Sequence, residues 1–424
     1  MGNVFQEKLG PKLTAMSKHH YVRAIQSGVM SMIGVTIFSS IMVLLKTPPV
    51  SPASTNPIAV AWMNFAANNA DWLGVAVEMS MNMYGLIALI GVTYSLAEHF
   101  KIDKKNAIIV SIVSFLIVSI KLVPVERAVT ISYAYLGSKG LFAAFVISIL
   151  NCEILRYWET KGPSIKLPDA VPPMVSEPFK ALISTIALLS LAVVIRVVCG
   201  QFGILFPQLI EAMLKPLLGA ADSLLVFVLM IALSRVLWLF GIHGTSIVMS
   251  VLSPIMIMNT VENLAAYEAG VALPHTLTFG SLAWQLGMLP AAIAMIMVAK
   301  SAQLKSVSKV GIIPSMFMIS EPILFGTPFI FNTTLFIPQV VAFSFSAGVG
   351  YFLQSTHMIG RNFMTVPWVI PGPFGVYLAT LDWKAPLAWF AVLAICILIY
   401  LPFIKKYDAK LLKEETEREA EKAA

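Results

Sequence analysis

The stretch from Met316 to Asn332 reads "MFMISEPILFGTPFIFN". A single carboxylate, Glu321, stands in an apolar run and is followed at once by Pro322. Proline carries no N–H and breaks a helix, and an ionisable group at membrane depth is costly unless it faces a cavity or a partner. In a membrane chain such a stretch is broken backbone beside a solute cavity, because only protein or water can satisfy the freed N–H and C=O groups there. The setting is a membrane: of 424 residues 58% are hydrophobic and 12% charged, far from the roughly even apolar balance of a soluble domain.

Upstream of Glu321, between Gly241 and Ile330, apolar runs are cut repeatedly: "GIHGTS", "LSPIMIMNTVENLAAYEAG" and "LPHTLTFGS". Downstream, Thr334–Leu353 and Ala385–Pro402 are clean spans, joined by the irregular "HMIGRNFMTVPWVIPGPFGVYLATLDWK". The first half is more regular. Val22–Leu45, Leu73–Leu96, Ala107–Ile120, Leu141–Trp158, Phe179–Val198 and Asp222–Phe240 are candidate spans, judged against the ~20 apolar residues a crossing needs. "GQFGILFPQLIEAMLKPLLGA" after the fifth span suits an amphipathic interfacial helix or an ordinary connector. The basic, Pro-rich "ETKGPSIKLPDAVPPMVSEP" is the best domain boundary.

The expectation is an all-α polytopic membrane protein of about ten transmembrane helices, with re-entrant hairpins and amphipathic interfacial helices. Residues 1–178 form a scaffold, 179–220 a fifth span and connecting helix, 221–404 the working part and 405–424 a tail. No internal repeat is evident. The net charge of +7 reads as topological, since Lys and Arg gather in cytoplasmic loops. The Lys-rich N-terminus, Lys101–Lys105, "AKSAQLKSVSK" and the tail "KKYDAKLLKEETEREAEKAA", a solvated helix or disordered end, then lie inside. The N-terminal segment is polar for too long to be a cleaved signal peptide.

Two ionisable residues stand out. Glu321 sits in the Pro-broken stretch, and His243 lies in "FGIHGTS" between Gly241 and Gly244. Carboxylate and imidazole are the side chains best suited to take or lend a proton near neutral pH. Thr245, Ser246 and Asn332 offer hydrogen bonds to hydroxyls, and Trp368 in "VPWVIPGP" offers a sugar ring an apolar face or the membrane an interfacial anchor. Glu262, Glu268 and His275 read as loop residues at the membrane surface. Cys152, Cys199 and Cys396 have neither C-x-x-C spacing nor metal-ligand neighbours, and read as buried small hydrophobes. The sequence has no G-x-x-x-x-G-K-[ST] loop and no H-E-x-x-H motif. Uphill transport would draw on an ion gradient or a partner protein.

With "LWLFGIHGTSIV", "SEPILFGTPFIFN" and "VPWVIPGPFGVYLATLDWKAPL" in that order, the chain resembles enzyme IIC, the membrane subunit of the phosphoenolpyruvate-dependent sugar phosphotransferase system. The resemblance is to the lactose, cellobiose and diacetylchitobiose branch, and its specific motifs run from Trp238 to Pro386. It implies a homodimer in the bacterial cell membrane with both termini cytoplasmic, an N-terminal dimerisation part of about five helices, and a C-terminal sugar-binding part that moves to change access. It places His243 and Glu321 at the sugar hydroxyl that is phosphorylated, needs no cofactor or metal, and makes soluble IIB, charged by IIA, the phosphocysteine donor. Two features depart from the family pattern: Ser320 stands where asparagine is expected, and "TFGSLAWQLGMLPAA" lacks a double glycine. A rival reading is a proton-coupled sugar permease without phosphorylation; a channel or sugar sensor is a third.

Overall fold

In the computed structural model the described residues are 15, 19–48, 54–125, 128–163, 165, 168, 173–240, 243–327, 329, 332–367 and 370–423. The chain forms two compact units, 18–218 and 219–424.

The first unit begins with α1 (His20–Ser31) and α2 (Ile33–Lys46), which follow one another across a single residue as one apolar run. After α3 (Pro57–Asn68), the expected span Leu73–Leu96 is two helices, α4 (Ala70–Met81) and α5 (Tyr84–Phe100), bent by 40°. The break is supplied with partners. The Asn82 amide donates to the Glu78 carboxylate, and Leu86 N–H, in the first turn of α5, donates to Leu136 O at 3.1 Å. Asp103 caps α6 (Lys104–Ser119), accepting from Lys105 N at 2.9 Å and Asn106 N at 3.4 Å. Next comes a feature the sequence reading did not foresee, an antiparallel hairpin of β1 (Lys121–Val125) and β2 (Ala128–Ser132). Then α7 (Leu141–Lys161), α8 (Pro173–Gln201) and α9 (Phe206–Ala221) complete the unit, whose boundary falls within α9.

Leu89, Phe115, Val118, Ala144 and Ile147 form the core of this unit. Hydroxyls join its helices: Thr93 Oγ1 donates to Ser148 Oγ at 3.0 Å, and Ser148 Oγ to Leu89 O at 3.2 Å. Small hydroxyl residues both allow close helix approach and bond across it. The three cysteines are free thiols and buried, as expected of small hydrophobes.

The second unit contains α10 (Leu224–Leu239), α11 (Gly244–Glu268), a 3₁₀ turn at Phe279–Trp284, α12 (Leu289–Val298), α13 (Ala302–Met316), α14 (Glu321–Gly326), α15 (Thr333–Ser355), α16 (Gly372–Thr380) and α17 (Lys384–Ala423). Phe227, Trp284, Phe329, Trp389 and Tyr400 anchor its core. Two expectations are corrected here. "LSPIMIMNTVENLAAYE" is no break; α11 runs through Pro254. Its polar residues serve the irregular segment that follows: Asn259 Nδ2 donates to Leu277 O at 2.7 Å and Thr260 Oγ1 accepts from Phe279 N at 2.8 Å. The tail, read as a solvated helix or a disordered end, is a helix that continues α17, but it is not fully solvated and packs by one face. Asp408 is buried and accepts from Lys300 N and Ser301 N at 2.8 and 2.9 Å.

Among the described residues, seven helices are long and apolar enough to cross a membrane, or eight if α4 and α5 form one bent span. The expected count of about ten also drew on α6 and α10; these are apolar but only 16 residues each.

Candidate functional site

His243 is the N-cap of α11. Its Nδ1 accepts from Ser246 N at 3.2 Å and lies 2.8 Å from Ser246 Oγ. A ring nitrogen that accepts a backbone N–H carries no proton, so the neutral ring bears its hydrogen on Nε2 and offers a donor there. The turn is possible because the next residue is glycine. A Cβ on Gly244 would run into Ser234 O and come 2.7 Å from Leu237 Cβ, so α11 starts directly against α10.

The Thr245 hydroxyl is engaged by neighbouring side chains. Its Oγ1 accepts from the Arg235 guanidinium and, at 3.2 Å, from Trp238 Nε1. Arg235 is buried; it donates to Ser234 Oγ at 3.0 Å and lies 4.1 Å over the Phe343 ring. Sequence reasoning passed over this residue, although an arginine inside the apolar "LSRVLWLF" is itself a signal, since such groups persist only when partnered. Trp238 links the two motifs. Its ring is 4.5 Å from the His243 ring and, edge on, 6.3 Å from Phe325 in α14.

Glu321 is the first residue of α14, and Pro322 stands where a proline starts rather than breaks a helix. The side chain of Glu321 and the whole of Trp368 lie outside the described residues. Asn332 is the N-cap of α15, accepting from Thr334 N at 3.0 Å and Leu335 N at 3.2 Å. The structure therefore brings His243, Thr245 and Ser246 into one turn and sets α14 beside it through Trp238; Asn332 is occupied as a cap.

The two departures from the family pattern meet. Gly287 has φ 56°, and a Cβ there would lie 3.2 Å from Ser320 Oγ. Next to them is a narrow recess of about 10 Å³, lined by Met318, by Phe279, Gly280, Leu282 and Ala283, and by Val366, Pro367 and Ile370. It thus joins the segment before Glu321 to the one before Trp368.

His275 lies in a loop as expected, whereas Glu262 and Glu268 lie in α11, and the partly exposed His275 and Glu262 belong to a second polar cluster. His275 Nε2 is 2.6 Å from a Glu262 oxygen and Nδ1 is 3.3 Å from Asp222 Oδ2. Asp222 also accepts from Leu277 N at 2.8 Å, Thr276 N at 3.2 Å and the Tyr351 hydroxyl at 3.2 Å. Burial alone would lower the His275 pKa, but hydrogen bonds and charge from Asp222 and Glu262 raise it to about 9. Burial works to raise Asp222, and the His275 and backbone donors outweigh it and hold the carboxyl below its ordinary value. Glu268 ends α11. Among the described residues no group of three or more His, Cys, Asp or Glu is placed to hold a metal ion.

Comparison with known proteins gives consistent matches. The family model "Phosphotransferase system, EIIC" matches residues 26–342. The lactose-specific EIICB component of Lacticaseibacillus casei is 32% identical, over 99% of this chain and 73% of that protein. The oligo-beta-mannoside-specific EIIC component of Bacillus subtilis (strain 168) is 29% identical, over 98% of this chain and 96% of that protein. The crystal structure of ChbC, the IIC component from the N,N′-diacetylchitobiose-specific phosphotransferase system, superposes with a TM-score of 0.88 at 30% identity, covering 97% of this chain and 99% of that one.

Proposed function

The chain belongs to the phosphotransferase system EIIC family, and from that premise we propose that it carries a β-linked disaccharide, of the cellobiose, lactose or diacetylchitobiose kind, across the bacterial cell membrane while a separate phospho-IIB phosphorylates it. The observation that carries the site is the Trp238 indole, which packs against both the His243 ring and Phe325 of the helix that Glu321 begins. The substrate class is supported by the specificities in the names of the relatives. The donor is supported by the EIICB relative, of which this chain spans 73%.

In this reading the Glu321 carboxylate takes the proton of the reacting sugar hydroxyl. The hydroxyl oxygen bonds to phosphorus, the S–P bond of the IIB phosphocysteine breaks, and the thiolate leaves with IIB, to be charged again by IIA. His243 donates from Nε2 to the sugar or the incoming phosphoryl oxygens, and Ser246 fixes the ring for that task. Phosphoryl transfer needs chiefly positioning and charge stabilisation. Trp368 offers the ring an apolar face. The unit 219–424 carries the sugar by elevator-like alternating access, the unit 18–218 forms the homodimer, and both termini are cytoplasmic.

The test is uptake of labelled sugars into vesicles holding this protein, with phosphorylated IIA and IIB inside. Sugar phosphate forming only with both partners supports the reading. Free sugar accumulating on a proton gradient alone makes the protein a secondary permease and overturns it.

A further inference from the structure

The elbow between α12 and α13, residues 299–301, is held from far along the chain. The N–H groups of Lys300 and Ser301 donate to the Asp408 carboxylate, which is only 4% exposed. Glu415 takes the next two, accepting from Ala302 N at 3.1 Å and Gln303 N at 3.4 Å. Both carboxylates lie on the polar end of α17, 107 to 113 positions away. A helix that begins at a serine does not need this help. A serine N-cap ordinarily accepts an N–H of the first turn through its own hydroxyl. Ser301 is the N-cap of α13 and is buried, yet it makes no such bond; its hydroxyl donates to Asp408 at 2.6 Å. A local cap is set aside for a remote one, and helix stability alone gives no reason for the exchange. What the remote cap adds is a fixed place for the elbow against α17, which packs along α12 and sets Tyr400, Ile404 and Tyr407 in the core.

The place of the elbow reaches Glu321 through α13. The helix that Glu321 begins, α14, has six residues, too few to be stable by itself, and α13 is its seat. Gln303 Nε2 donates to Gly326 O at 3.2 Å. A Cβ on Gly326 would come 2.9 Å from Val307, and one on Gly311 would run into the fully buried Ile323. A shift in the first turn of α13 therefore carries α14 with it, and the glutamate at its head.

We propose that Asp408, assisted by Glu415, is a positioning residue for phosphoryl transfer: the end of α17 sets the α12–α13 elbow, α13 carries α14, and Glu321 is thereby held at the reacting hydroxyl. The inference rests on the reading of Glu321 given above. Asp408 itself meets neither sugar nor phosphate and acts only through the placement of α14. A misplacement of about 1 Å at a reacting group costs up to roughly 100-fold in rate, and an interaction made only in the transition state is lost from kcat rather than from KM.

The experiment is steady-state transfer of labelled phosphate from phospho-IIB to cellobiose, lactose and N,N′-diacetylchitobiose by the full chain in lipid nanodiscs, with thermal midpoints measured alongside. For the sugar that wild type phosphorylates, Asp408→Asn is expected to lower kcat at least about tenfold and to leave KM for the sugar within about twofold. The double variant Asp408→Ala/Ser301→Asp returns a strong local cap to α13. Its midpoint recovers relative to Asp408→Ala while its kcat stays low; a kcat that recovers with the midpoint shows capping alone and overturns the inference. If the Asp408 variants fail to fold, Glu415→Gln decides, with a lower kcat at constant KM supporting the inference and an unchanged kcat overturning it. Wild-type kcat in the folded variants overturns this inference alone. Wild type forming no sugar phosphate overturns the phosphotransfer reading and this inference together.

Discussion

Two imidazoles in one unit illustrate opposite uses of histidine. His275 has both ring nitrogens committed to carboxylates, Asp222 and Glu262, on a backbone segment held by Asn263. His243 has one nitrogen fixed by Ser246 and, among the described residues, no hydrogen-bond partner for the other, at an exposed turn beside Trp238. The first arrangement consumes the group in holding the chain together; the second orients it and leaves a donor available.

Removing each imidazole's support should separate activity from stability. His243→Ala is expected to lower sugar-phosphate formation by roughly 100-fold or more, the cost of losing one preorganised donor, with the thermal midpoint lowered only by loss of the α11 cap, about 0.5–2 kcal/mol. A falling midpoint with activity retained would reverse the two roles. Asp222→Ala strips the acceptor from His275, two backbone N–H groups and Tyr351. It should destabilise by about 2–4 kcal/mol, read by denaturation, while phosphorylation of the remaining folded protein persists.

Thr245→Val keeps the shape and removes the acceptor shared by Arg235 and Trp238. It should cost about 1–3 kcal/mol and also reduce turnover, since Trp238 then holds the His243 turn less firmly. A loss of stability without any loss of turnover would show that the indole does not position the site. The smallest effect is with pH. His275 is raised from 6.5 to about 9, so its contribution is full below pH 6.5 and is lost as pH rises through about 9. Asp222 is depressed, so its contribution is present above its ordinary 3.8 and is lost as pH falls. Thermal midpoints should therefore drop on the alkaline side in wild type and stay flatter there in His275→Ala.

The membrane class, the spans on either side of Glu321 and the family were legible because long apolar runs and the paired "GIHGT" and "EPILFG" motifs are local. What was missed depends on partners remote in sequence. Nothing near His275 in the chain announces Asp222, 53 positions away, and nothing near Asp222 announces Tyr351, 129 positions away. Pro254 and the asparagines of α11 resembled breaks because their packing and their use in closing the following segment are tertiary facts. The hairpin β1–β2 hid in a short apolar stretch too brief for periodicity to judge. Arg235 was visible and overlooked. At Thr245 and Asn332 the hydroxyl and amide types suggested ligand contacts, while the structure engages their oxygens in fixing the turn and capping α15.

The central claim is that Glu321 accepts the proton of the sugar hydroxyl as phospho-IIB delivers its phosphoryl group. The most direct measurement is transfer of labelled phosphate from phospho-IIB to sugar by wild type and Glu321→Gln, with sugar binding and membrane insertion measured alongside. The account predicts that the variant inserts and binds sugar but forms no sugar phosphate; turnover at the wild-type rate in Glu321→Gln would contradict it.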